Sequence, residues 1–293
     1  MLLRHVRYLL AVAEHANFTR AAEALHVSQP TLSQQIKQLE ESLGAPLFDR
    51  SGRTVRLTDA GAAYVRFARL ALQDLEAGKR AMHDVQDLSR GTLRLAMTPT
   101  FTAYLVGPLL EQFNRCYPGI TLSVEELTQD RLEAALAEDL LDIGIAFAGT
   151  HLADIDSQVL FTETLSLVVG AAHPQVGRIA PFSLQDLERQ PLVLLSRDFA
   201  TRQHIDLYCR QQGIGAQVAI EANSISAIVE IVRRGQLATI LPSAIAREQP
   251  GLAALPLQPS LPTRSVALLR RQGAYRSAAS QAFVQTMLAW GNV

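Results

Sequence analysis

Two short runs with helical apolar spacing lie on either side of the pentapeptide HVSQP near the start of the chain, and this junction constrains the fold more than any other feature. Upstream, residues 5–16 place Val6, Leu9, Leu10 and Ala13 on one helix face, and residues 19–26 do the same with Ala21, Ala22 and Leu25. Thr19 is the expected N-cap of the second run, with Phe18 anchoring the loop before it. Downstream, Ser28 is the expected cap of a third helix with Leu32, Ile36 and Leu39 as its inward stripe. Leu43 and Gly44 close it, and Gly44 suits the left-handed position after a helix. Pieces this short bury their stripes only against one another, so the pattern predicts a three-helix head. The basic turn Arg50-Ser51-Gly52-Arg53 and a short strand over Thr54–Leu57 follow as a hairpin. A helix-turn-helix with such a wing is a geometry for reading DNA.

The exposed side of the third helix is short and polar. Ser28, Gln29, Thr31, Ser33 and Gln34 carry groups that reach base edges, and Gln pairs in two-pronged fashion with adenine. Lys37 is better placed for phosphate, and Arg50 and Arg53 suit the minor groove or its phosphates. The plain alternative is a solvated face on a three-helix core. Charge does little to separate the two: residues 1–66 hold eight basic and six acidic residues, and the whole chain has a net charge of -1.

From Thr58, apolar positions at Ala62, Val65, Ala68, Leu72 and Leu75 predict one helix to about Leu88, on the order of 45 Å long. An isolated helix of that length and character needs a partner. Ser89, Arg90 and Gly91 form a hinge. Beyond it, strands are expected at 92–97, 120–125, 141–146, 165–169, 191–195, 216–220, 237–241 and 264–269. Helices are expected at 103–116, 129–138, 203–212, 224–234, 242–247 and 275–289. The strands are short apolar runs, as buried parallel strands are. One sheet, or two smaller sheets with a cleft between them, satisfies the pattern.

Several function classes are disfavoured. No run of about 18 apolar residues exists, so no membrane span is expected, and the cytoplasm is the default location. The two cysteines, Cys116 and Cys209, are no disulfide framework and read as buried fillers of two helices. No GxSxG, HExxH or GxxxxGK[ST] is present, and the seven histidines show no metal spacing, so neither an enzyme nor a bound metal or cofactor is expected. A redox sensor would need Cys116 and Cys209 to meet, although they fall in different predicted subdomains.

The ungapped stretch FTRAAEALHVSQPTLSQQIKQLEESLGAPLFDRSGRTVRLTDAG, Phe18 to Gly61, resembles the signature region of LysR-type transcriptional regulators. The likeness continues through GTLRLAMTPT and DIGIAFAG over essentially the whole chain. It implies an α/β protein with an all-α winged helix-turn-helix domain at residues 1–58, a dimerisation helix at 59–89 and an effector domain at 90–293. That domain is periplasmic-binding-protein-like, with one subdomain at about 92–162 and 265–293 and the other at about 163–264. The implied partners are a near-palindromic double-stranded operator, a second copy and then a tetramer, and RNA polymerase. Activation with repression of its own gene is the implied mode.

Residue by residue, the resemblance puts base reading on Gln29, Pro30, Ser33 and Gln34, backbone contact on Thr31 and Lys37, and the wing on Arg50 and Arg53. It puts effector contacts on Thr98, Pro99, Thr100 and Thr128, and from the opposite subdomain on Thr201, Arg202, Asn223 and the turn at Pro242. Hydroxyls before helix N-termini suit a small anion, and Arg202 is the cation expected nearby. The plain alternative for each threonine is a helix cap. Within the family, MTPTFTAYLVGPL, DIGIAFA, IEANSISAIVEIVRR and LPSAIA resemble the cyanate-operon branch, which implies cyanate as the effector. Another small anion or an organic acid is the alternative, and a cysteine-based redox signal a further one.

Overall fold

The computed structural model describes residues 2–51, 54–83 and 88–290. It divides into two compact units, Met1–Met82 and His83–Val293, and each is described by itself.

The first unit runs α1 (Leu3–His15), α2 (Phe18–Ala24), α3 (Gln29–Leu43), β1 (Phe48–Asp49), β2 (Arg56–Leu57) and α4 (Asp59–His83). Val6, Leu9 and Val12 of α1 meet Ala21 and Ala22 of α2 and Leu32, Ile36 and Leu39 of α3, with Leu47, Phe48, Val65 and Ala68 completing the core. Thr19 is not the cap of α2. Asn17 is, its side chain accepting from the amides of Thr19 at 2.8 Å and Arg20 at 3.1 Å. Asn is among the best N-caps, so the helix begins earlier and Phe18 is its first residue rather than a loop anchor. Ser28 caps α3 by accepting from the Thr31 amide, and Gly44 ends it at φ 69°.

The start of α4 is locked to the base of the wing. The Thr58 hydroxyl donates to the Pro46 carbonyl at 2.7 Å and accepts from the Gly61 amide at 2.9 Å. Gly61 fits because a Cβ there would lie 2.0 Å from the Leu47 carbonyl oxygen. Further along α4, Phe67, Leu75 and Met82 are exposed. Residues 84–87, over which the sequence extends this helix, lie outside the described residues.

The second unit begins with β3 (Gly91–Met97), α5 (Pro99–Thr102), α6 (Val106–Cys116), β4 (Ile120–Glu126), α7 (Gln129–Ala137), β5 (Ile143–Phe147) and β6 (Ile155–Glu163). It continues with β7 (Leu165–Gly170), β8 (Phe182–Ser183), α8 (Leu184–Arg189), β9 (Leu192–Leu195), α9 (Ala200–Gln212), β10 (Val218–Ala222), α10 (Ile225–Arg234), β11 (Ala238–Pro242) and α11 (Ser243–Glu248). It ends with β12 (Leu252–Leu255), β13 (Leu257–Gln258), β14 (Arg264–Arg271) and α12 (Ala278–Trp290).

There are two five-stranded sheets, β4-β3-β5-β14-β6 and β10-β9-β11-β7-β12. In the first, β3 is parallel to β4 and β5, while β14 runs antiparallel to β5 and β6. In the second, β9 is parallel to β10 and β11, and β7 is antiparallel to β11 and β12. Alternation decides which way the β3 side chains face. Leu93, Leu95 and Met97 join the large core with Phe101, Phe113 and Phe283, and Ala96 joins Leu132, Leu136 and Leu269 on the opposite face.

Several elements differ from the sequence reading, and α8, β8, β12 and β13 were missed because they are only two to six residues long. The helix expected over 103–116 is broken into α5 and α6, and Pro108, which lacks an N–H, sits in the first turn of α6, where that donor is not needed. β6 was not expected, because an edge strand with mostly exposed side chains leaves no apolar run to find.

Candidate functional sites: a DNA interface and an effector cavity

In the first unit, Gln29, Pro30, Thr31, Gln34 and Lys37 of α3 are exposed and Ser33 is half-buried. The hydroxyls of Ser28 and Thr31 bond each other at 2.7 Å, which leaves the glutamines as the freer polar groups. Lys37 lies 3.8 Å from Glu41, both well exposed. The wing is held from below by a residue the sequence reading passed over. One carboxylate oxygen of Glu40 accepts from the amides of Leu47 at 2.8 Å and Phe48 at 3.1 Å, and the other accepts from Arg50 at 3.0 Å. The Arg50 guanidinium also sits 4.7 Å over the Phe18 ring. Arg50 is therefore partly committed to fixing the wing, beyond any contact with DNA. Arg53 lies outside the described residues.

In the second unit, Thr98, Pro99, Thr100, Thr128 and Thr201 line one small cavity with Gln129, Phe147, Phe199 and Ala200. About 10 Å³ is open to the centre of a water-sized molecule, roughly the room for one water. The threonines come from places the fold makes equivalent. Thr98 follows β3, Thr128 follows β4, and Thr201 opens α9 just after β9, so ends of both sheets converge. Thr98, Thr100 and Thr201 are 4%, 3% and 2% exposed. Thr98 and Thr128 occupy N-cap positions, yet neither side chain caps its helix. That counts against the plain reading of both as caps. Thr98 and Thr100 hydroxyls are 3.5 Å apart. The Gln129 amide is taken up by Glu133 and by both backbone groups of Phe147.

Arg202, Asn223 and Pro242 lie elsewhere. The buried Arg202 guanidinium is turned to Asp206 at 2.8 Å, Glu221 at 2.8 Å and the Leu195 carbonyl at 2.9 Å, so its charge is already matched. Asn223 is exposed at the end of β10. Pro242 borders a separate cavity of about 360 Å³ with Tyr104, Glu163 and Arg247.

The cation beside the threonine cavity is Arg264. It donates to the Thr201 hydroxyl at 3.0 Å, pairs with Glu163 and lies 4.0 Å over Phe147. The Tyr104 hydroxyl donates to the second Glu163 oxygen at 2.8 Å. Burial pushes the Glu163 carboxyl up, against the pull of Arg264 and Tyr104. A signal for this pair was present in the sequence, since each is a lone charge beside an apolar strand run.

Of the cysteines, Cys209 is buried on α9, its thiol pushed up by burial and by Asp206, whereas Cys116 is exposed and no buried filler. Among the described residues, no cluster of His, Cys, Asp and Glu fits a metal ion, and no helix is long and apolar enough to cross a membrane.

A winged helix-turn-helix and a two-sheet domain with a polar cavity between strand ends define a class: a DNA-binding regulator with its own effector domain. Residues 3–62 match the family of bacterial regulatory helix-turn-helix proteins of the lysR type, and residues 86–292 match the LysR substrate binding domain. A hydrogen peroxide-inducible genes activator of Pectobacterium carotovorum is 31% identical over 276 residues, 93% of this chain and 91% of its own length. A full-length OxyR variant from Pseudomonas aeruginosa superposes with a TM-score of 0.69 at 28% identity, covering 98% of this chain and 94% of that one. Full-length CbnR complexed with its target DNA does so at 0.59 and 25% identity, covering 99% and 100%. The chain belongs to the LysR family of transcriptional regulators, whose members are regulators and not enzymes.

Proposed function

We propose that this regulator responds to a very small polar molecule held in the threonine cavity, and that hydrogen peroxide is the first effector to test. The observation that carries the reading is the convergence of four threonine side chains on space for about one water-sized molecule. Hydrogen peroxide offers two donors and several acceptors at that size, and it is the inducer named for the Pectobacterium relative. Cyanate has three heavy atoms and needs more room than the cavity offers as it stands, and only the narrower sequence likeness favours it. The relatives named above do not point to it, and it enters as the second arm of the test, ahead of other small anions and organic acids.

A second reading, a cysteine-based redox signal, places the oxidant on a thiol; the relative's name, which specifies peroxide and not how it is sensed, fits this as well. Cys209 is then the sensing residue, and its raised pKa predicts a mostly protonated, slow thiol at neutral pH. On DNA, Gln29, Pro30, Ser33 and Gln34 read bases, while Ser28, Thr31, Lys37, Arg50 and Arg53 position the backbone. The apolar stripe of Phe67, Leu75 and Met82 covers α4 in a dimer, and dimers pair to a tetramer. Two readers then meet half-sites about 34 Å apart in a near-palindromic operator, recruit RNA polymerase and act in the cytoplasm.

The experiment is operator binding and transcription by the full chain, titrated with peroxide and then cyanate. Three proteins are compared: wild type, Thr98→Val with Thr128→Val, and Cys209→Ser. Loss of response in the threonine variant alone supports the cavity, and loss in Cys209→Ser alone supports the thiol. A full response in both variants refutes both.

A further inference from the structure

We propose that Arg264 is a positioning residue of the threonine cavity: it holds the Thr201 hydroxyl as a donor toward the cavity, so the effector must present a hydrogen-bond acceptor there. The inference rests on the cavity being the effector site.

The argument is one of proton counting. A hydroxyl has one proton to give and two lone pairs to receive, whereas a guanidinium only gives. The Thr201 oxygen accepts from Arg264 at 3.0 Å, so its own proton points away from Arg264. Among the described residues no acceptor takes that proton. Thr201 is 2% exposed and lines the cavity with Thr98, Thr100, Thr128 and Gln129, but the Thr98 and Thr100 hydroxyls face each other and Gln129 is taken up by Glu133 and Phe147. A buried O–H without an acceptor is unfavourable, and an acceptor entering the cavity removes that penalty.

Arg264 itself cannot easily turn away. It is 8% exposed, paired with Glu163 behind and stacked on Phe147 at 4.0 Å. Glu163 is fixed in turn by the Tyr104 hydroxyl. Glu163 ends β6 and Arg264 starts β14, the strands at which the chain leaves the first sheet and returns to it. The donor direction of Thr201 is thus set by the two connections between the sheets. The ligand class that follows is a small acceptor, such as a peroxide or an anion, and not a donor-only cation.

The test is titration calorimetry on the full chain with hydrogen peroxide, sodium cyanate and ammonium chloride. Wild type is expected to bind at least one of the first two and not ammonium. Thr201→Val is expected to weaken that binding about tenfold, the scale of one hydrogen bond, and Thr201→Ser to restore it. Glu163→Gln combined with Arg264→Gln removes the positioning without leaving a lone buried charge, and is expected to weaken binding as Thr201→Val does. Equal affinity in wild type and Thr201→Val overturns the inference while leaving the cavity reading intact, and so does ammonium binding in preference to the acceptors. Failure of wild type to bind any probe overturns the cavity reading, and the inference with it.

Discussion

Glu40 is the residue on which the wing depends, and replacing it with alanine measures how much. Among the described residues its carboxylate is the acceptor for the amides of Leu47 and Phe48, whose side chains are 2% and 5% exposed, and the Glu40 side chain is itself 14% exposed. Removing it strands two N–H groups, each worth about 1–3 kcal/mol when left without a partner in a protein interior. Water reaches part of this site, so the lower half of that range applies, about 2–4 kcal/mol for the pair. The ion pair to Arg50 adds under about 1 kcal/mol, because Arg50 is 39% exposed. Hydrogen exchange on the full chain reads the effect directly: exchange over residues 44–51 is expected to accelerate roughly thirtyfold to several hundredfold. Arg50→Met, which removes only the ion pair and the stack on Phe18, is expected to accelerate it less than about fivefold. An increase under about threefold in Glu40→Ala refutes the claim that this carboxylate carries the wing.

Three further outcomes follow from the geometry. Lys37→Ala is expected to reduce the salt slope of DNA binding by about 0.9 on operator and random DNA alike, whereas Gln34→Ala costs about 1–3 kcal/mol on the operator alone. Paired binding isotherms at several salt concentrations separate the two. Gly61→Ala forces a Cβ to within 2.0 Å of the Leu47 oxygen and is expected to lower the melting temperature of the first unit, while Gly78→Ala, with open space around it, raises stability by about 1 kcal/mol. Thermal unfolding of the full chain tests both. Burial pulls the His173 pKa below its ordinary value of 6.5, so the folded ring stays neutral where the unfolded one takes a proton. Its contribution is present above pH 6.5 and is lost as pH falls through the depressed value, so melting curves from pH 7.5 to 5.5 are expected to be flatter in His173→Gln.

Elements with a strong local signal were readable from the sequence. Ser28 and Gly44 bound α3 because cap chemistry is local, and buried strands such as Leu192–Leu195 are unbroken apolar runs. The threonine positions were reachable too, because each sits where a strand hands over to a helix. What stayed hidden depends on partners far away in the chain. Arg202 reads as a free cation until Glu221, 19 residues on, is seen to take it. Arg264 lies 63 residues from the threonine it touches, and no periodicity brings them together. Thr19 lost its place as a cap to Asn17 because both residue types cap well and the Asn17 side chain reaches the first free amides of the helix.

The size of the cavity also limits how the proposed switch can work. A molecule the size of one or two waters makes about three or four hydrogen bonds, each worth about 0.5–1.5 kcal/mol net, so a single site supplies about 2–6 kcal/mol. Only the part of that energy that differs between two shapes of the protein moves the equilibrium. Turning a 1:99 balance into 99:1 takes about 5.5 kcal/mol, the upper end of what one cavity holds. Four cavities acting on one concerted change need supply only about 1.4 kcal/mol each, close to one hydrogen bond. On that proposal a single oriented hydroxyl such as Thr201 supplies enough to decide the response. On the proposed assembly through the exposed stripe of α4, a tetramer adds the small differences that separate sites cannot.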